Sequence, residues 1–211
     1  GLLLFSDQVE LFIPPKKGRS HILRIIRELL EFEPQSLKTN ISNALEFLSG
    51  VLKKKAIVFM LSDFMDQGYE KTLRIAAKKH DLTGIRVYDP VETKLPNLGI
   101  VPIRDAETGA VQWISTFSKK IRKNYETQYR QHVSAYEELF SKNGAGKLSC
   151  SVEESYVKKL LGYFKARGKK KKKGFTFFGV LISLLSWSQD EGTLIVAVDS
   201  TAVKIGEQID Y

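Results

Sequence analysis

Two side chains in this sequence are of the right type, and at the right kind of position, to hold a hard cation. Thr39 opens the stretch Thr39-Asn40-Ile41-Ser42-Asn43-Ala44-Leu45, where a helix begins. Asp63 follows the apolar run Ala56–Leu61 in Leu61-Ser62-Asp63-Phe64, so it leaves a strand at its carboxyl end. A hydroxyl and a carboxylate completed by water suit Mg²⁺, which takes oxygen ligands and keeps several waters. Each residue also has a plainer role. Thr39 can serve as a helix N-cap, and Asp63 can shape the turn that follows it. The residue types alone leave both roles open.

The elements that must position them alternate. Leu2–Phe5 and Val9–Ile13 read as strands joined by Ser6-Asp7-Gln8, with Pro14-Pro15 ending the second. Ser20 is expected to cap a helix carrying Ile22, Leu23, Ile25, Ile26, Leu29 and Leu30. A second helix is expected over Asn40–Leu52. The uninterrupted apolar run Ala56–Leu61 predicts a strand buried on both faces of a parallel sheet. A helix over Tyr69–Lys79, a strand over Leu82–Tyr88 and a hairpin of Gly99–Ile103 with Ala110–Ile114 follow. Ile121, Tyr125, Tyr129, Val133, Tyr136 and Phe140 mark a long amphipathic helix. Ser151 with Glu154 reads as the capping box of a last helix bearing Val157, Leu160, Leu161 and Phe164. This alternation predicts an open, doubly wound, mostly parallel α/β sheet with helices on both faces. Its ligands would sit at the carboxyl ends of the strands.

Other chemistry finds little support. Neither Gly-x-Ser-x-Gly nor His-Glu-x-x-His occurs. Asn143-Gly144-Ala145-Gly146-Lys147-Leu148 fails as a phosphate loop, because Ser141 stands for the first Gly and Leu148 for the Ser/Thr. His21, His80 and His132 are scattered, and the single Cys, Cys150, excludes a disulfide framework. The net charge of +9 invites a nucleic-acid reading. Tyr125, Tyr129 and Tyr136 lie at core spacing, however, so Lys120, Arg122, Lys123 and Arg130 read as a solvated face, and no nucleic-acid partner is expected.

Leu2–Pro15, the Thr39–Leu45 stretch, Ala56–Phe64, Val87-Tyr88-Asp89-Pro90 and Ser155–Leu161 together resemble the bacterial von Willebrand factor A-like proteins of unknown function encoded beside MoxR-type AAA+ ATPases. The resemblance runs from Gly1 to about Arg167. It implies a metal-ion-dependent adhesion site in which Thr39 and Asp63 are the metal ligands. It also implies a Mg²⁺ whose open position takes an acidic side chain from a partner, either the AAA+ ATPase or a client protein. The Asp-x-Ser-x-Ser motif of that family and the central strand before it do not occur ahead of Thr39. The expectation is therefore an N-terminally truncated domain, lacking its first central strand and binding Mg²⁺ weakly or not at all. Two exposed pairing edges would remain.

The sequence changes character near Gly168, which divides it into 1–168, 169–189 and 190–211. Lys169–Lys173, the apolar Phe175–Leu185 and Ser186-Trp187-Ser188-Gln189 have the three parts of a secretory signal peptide. The residues from Asp190 on read as the start of a β-rich exported domain. The expectation is a fusion of two neighbouring reading frames near Gly168. The competing reading is a C-terminal anchor giving inner-membrane association through 174–188, with 1–168 cytoplasmic. The functional expectation is a non-enzymatic, metal-assisted protein-interaction module. A Mg²⁺-dependent phosphate-ester hydrolase and a basic nucleic-acid binder are the alternatives.

Overall fold

The computed structural model describes residues 1–104, 109–173 and 193–199. Among these are eight strands and five α-helices. In chain order they are β1 (Leu2–Phe5), β2 (Val9–Ile13), α1 (Arg19–Glu31), α2 (Ile41–Val51), β3 (Ala56–Ser62), α3 (Glu70–Lys79), β4 (Asp81–Tyr88), β5 (Ile100–Arg104), β6 (Val111–Ser115), α4 (Lys119–Lys142), β7 (Gly146–Ser151), α5 (Tyr156–Lys173) and β8 (Thr193–Asp199). Six strands form one sheet in the order β2-β1-β8-β3-β4-β7, and β5 and β6 form a separate antiparallel pair. Only β2 runs against the others in the large sheet.

The principal core lies on one face. Leu3, Phe5, Val58, Met60, Leu82, Ile195 and Ala197 point toward α2, α3 and α4. Those helices answer with Ile41, Ala44, Leu45, Leu48, Leu73, Ala76, Tyr136 and Phe140, all buried. Phe64, Tyr136 and Phe140 pack as an aromatic triad with centroid distances of 4.5, 5.1 and 4.7 Å. The opposite face carries α1 and α5. There Ile25 and Phe32 approach Leu2, Leu4, Ile13 and Val198, and Phe164 sets its edge on Phe59 at 5.7 Å.

Several expectations need correction. The central slot expected to be empty holds β8, which pairs in parallel with β1 on one side and β3 on the other. Both edges that would have been open are therefore covered. Thr193–Asp199, read from the sequence within a separate β-rich segment, is a strand of this sheet. The strand β3 is fully buried on one face only, because the second face is incompletely covered and Ile57 is 39% exposed. Ser151 does not open a helix. It closes β7, a strand not expected from the sequence, and α5 starts five residues later. The lysine run Lys169–Lys173, read as the basic part of a signal peptide, continues α5.

The expected inner-membrane association is also corrected: no helix among the described residues is long and apolar enough to cross a membrane. Residues 174–188, to which the anchor reading was assigned, lie outside the described residues, as do 200–211 of the segment read as exported.

Candidate functional site at the carboxyl end of the sheet

Parallel strands deliver their carboxyl ends to one edge, and three neighbours in the sheet order do so here. β1 ends in Ser6 and Asp7, β8 in Asp199, and β3 in Ser62 and Asp63. The loop before α2 reaches over them. The backbone N–H of Asn40 donates to the carbonyl of Ser6 at 2.9 Å, and the Asn43 amide donates to the carbonyl of Asp7 at 3.1 Å. These bonds hold Thr39 above the strand ends.

Thr39 is not the N-cap. Asn40 takes that place, accepting the Asn43 N–H at 2.9 Å, which leaves the Thr39 hydroxyl for other work. Its Oγ1 lies 3.3 Å from both carboxylate oxygens of Asp199. The Ser62 hydroxyl donates to Asp199 Oδ2 at 2.8 Å and lies 3.5 Å from Asp63 Oδ1. Ser6, Ser62 and Asp199 are fully buried. A buried carboxylate needs donors or a cation against its desolvation, and Thr39 and Ser62 supply donors.

Asp63 also performs the plainer task. Its Oδ1 accepts the Met65 N–H at 3.0 Å, and Ser62 Oγ accepts the Phe64 N–H at 3.1 Å. Between them Phe64 adopts φ 59°, a left-handed backbone that costs a bulky residue about 1–3 kcal/mol. Stacking of its ring on Tyr136 holds that conformation. Asp66, further along the loop, accepts the Ile41 N–H at 2.7 Å and so ties the loop to the start of α2.

The neighbourhood is electronegative. Burial first, then the charges of Asp66, Glu70 and Asp63, push the Tyr69 hydroxyl above its ordinary range. Burial, Asp89 and Asp63 likewise raise the Glu92 carboxyl. Hydroxyls and carboxylates with no nitrogen or sulfur donor form a set suited to a hard cation. Only two carboxylates belong to it, and no group of three or more His, Cys, Asp and Glu suited to a metal occurs among the described residues.

The structure thus brings both sequence-predicted residues, Thr39 and Asp63, to one edge. It adds Ser62 and Asp199. Asp199 was missed although its signal was present: Leu194–Val198 followed by Asp has the same form as Ile57–Leu61 followed by Ser62-Asp63.

Residues 1–135 match the family model described as protein of unknown function DUF58. The chain belongs to that family. The uncharacterized protein Rv1480 of Mycobacterium tuberculosis is 22% identical to this DUF58 chain over 170 residues, covering 79% of the chain and 53% of the relative. The uncharacterized protein Mb1516 of Mycobacterium bovis matches to the same extent. The uncharacterized protein MAV169 of Mycobacterium avium is 22% identical over 158 residues, covering 74% of the chain and 93% of the relative. The chain spans about half the length of the first two relatives. No solved structure matches it significantly.

Proposed function

We propose that this domain is a non-enzymatic protein-interaction module of the von Willebrand factor A type. In this reading a Mg²⁺ held at the carboxyl end of the sheet presents an open position to an acidic side chain of a partner. The observation that carries the reading is the meeting of Thr39 with Asp199 beside Ser62 and Asp63. These oxygen donors come from three separate segments and converge where ligands bind in parallel α/β sheets. Thr39, Ser62, Asp63 and Asp199 would hold the ion. The ion would supply Lewis acidity toward a carboxylate and neutralise two acids that share one hydroxyl. With two carboxylates in the set, binding in this chain is expected to be weak. The partner proposed from the family resemblance is a MoxR-type AAA+ ATPase or its client.

The test is binding of the full chain to a MoxR-type ATPase, followed by calorimetry with Mg²⁺ and with EDTA. Association that requires Mg²⁺ and is lost in Thr39→Ala supports the reading. Association indifferent to both, or no association in either condition, removes it. Release of phosphate from p-nitrophenyl phosphate, abolished in Asp63→Asn, would favour the hydrolase instead.

A further inference from the structure

The hairpin β5–β6 turns several large apolar side chains to solvent. Its register pairs Pro102 with Trp113 and Ile100 with Ser115, and side chains alternate along a strand. Ile100, Pro102, Val111, Trp113 and Ser115 therefore share one face, with Arg104 paired to Val111 at its far end. Ile100 is 64%, Val111 56% and Trp113 68% exposed, whereas Val101, Ile103 and Ile114 on the other face are half-buried. Leu98 and Phe117, which flank the hairpin in the chain, are 70% and 68% exposed. The Phe117 ring lies against Gly99, where an added Cβ would meet it at 3.4 Å. A strand pair with one wet face ordinarily puts polar residues on that face. A contiguous apolar patch in that position marks an interaction site.

A second observation identifies the partner's chemistry. Immediately after Phe117, α4 opens with Lys119, Lys120, Arg122 and Lys123 and no acid in its first turn. Cations at a helix N-terminus oppose the dipole, so this arrangement works against the helix's own stability. Arg122 offsets its cost by donating to the carbonyls of Thr116 and Phe117. Lys119, Lys120 and Lys123 are exposed and take part in no ion pair among the described residues.

We propose that this face docks an acidic segment of a partner protein. Its apolar side chains cover Ile100, Trp113 and Phe117, and its carboxylates meet Lys119, Lys120 and Lys123. A second copy of the chain fits poorly, because it would set these lysines against their own image on a protein of net charge +9. The surface shares no residue with the Thr39–Asp199 cluster and needs no metal, so it goes beyond the adhesion-site reading and stands or falls apart from it.

The experiment uses the full chain carrying Trp187→Phe, which leaves Trp113 as its only indole, in EDTA-containing buffer. The probes are a peptide of alternating Leu and Glu and one of alternating Leu and Lys. The Leu–Glu peptide should shift Trp113 emission to the blue, with an affinity that falls as salt screens the charges. The Leu–Lys peptide should not. Reversing Lys119, Lys120 and Lys123 to Glu should weaken binding roughly tenfold or more, as expected for several exposed charge pairs acting together. Phe117→Ala should weaken it as well. Lys120→Glu alone decides the matter should the triple variant unfold. Equal response to both peptides, binding indifferent to the reversals, or no response overturns the proposal. So does tighter binding to phosphatidylglycerol vesicles or single-stranded RNA, or a dimer in sedimentation that itself buries Trp113.

Discussion

Asp199 shows what a single residue gains from its setting. On its own it is one acid after an apolar run. In the sheet it is fully buried, with the hydroxyls of Thr39 and Ser62 against it. The sequence supplied Thr39 and Asp63 because element ends are locally readable. It left Thr39 undecided between cap and ligand, and in the structure its neighbour Asn40 is the cap. Burial acts on a second residue, His80, which is 2% exposed. Its Nδ1 accepts the Ala56 N–H at 3.3 Å. The proton then sits on Nε2, which has no partner among the described residues. Burial first, with Lys79 adding to it, lowers the pKa of the ring below 6.5. Because the folded value lies below the unfolded one, the unfolded chain binds the proton more readily. The stability His80 contributes is thus whole above 6.5 and is lost as pH falls through the lowered folded value. Thermal midpoints recorded from about pH 7 to about pH 5 should fall more steeply for the native chain than for His80→Asn, which keeps an acceptor but cannot titrate. Parallel curves would show that His80 does not carry this dependence.

At the scale of elements, periodicity located the starts of α1, α2 and α3 to within two residues and placed that of α5 five residues early. It failed on β7, whose Gly146-Lys147-Leu148-Ser149-Cys150-Ser151 has little apolar alternation. β7 is a strand because β4 offers it a parallel edge along six paired residues. β4 and α4 meet closely. Tyr136 donates to the carbonyl of Gly84 at 2.9 Å, and a Cβ on Gly84 would come within 2.4 Å of the Phe140 ring. Gly84→Ala should therefore cost about 1–3 kcal/mol through overpacking, read as a lowered denaturant midpoint with an unchanged slope. Adding Phe140→Leu should recover part of that loss. If Gly84→Ala unfolds at the native midpoint, α4 is not seated as described. The helix α1 shows the opposite situation. Its apolar stripe was legible, yet none of its residues is buried and Leu30 is 82% exposed. Periodicity reports which face is apolar, not whether anything covers it.

At the scale of the whole molecule, β8 joins the two halves of the sheet. Without it, β2-β1 would be separated from β3-β4-β7. Ile195, Ala197 and Val198 are buried between the layers. Full burial of a Val or Ile side chain contributes about 1.5–3 kcal/mol, against a net stability of about 5–15 kcal/mol for a domain. A chain ending at Lys173 should lose its cooperative thermal transition and bind a hydrophobic dye. A truncated chain that melts cooperatively at the native midpoint would show that the sheet stands without β8. The sequence by itself determined the alternation of helices and strands, the apolar face of each helix, and the two oxygen-bearing side chains at element ends. All of these are set by interactions among residues near one another in the chain. Only the tertiary structure decided which strand fills the centre of the sheet. Backbone hydrogen bonds do not distinguish one apolar run from another, and the slot goes to whichever strand buries its side chains against both layers. That choice brings Asp199 to Thr39 across 160 residues of chain, a meeting that no local pattern encodes.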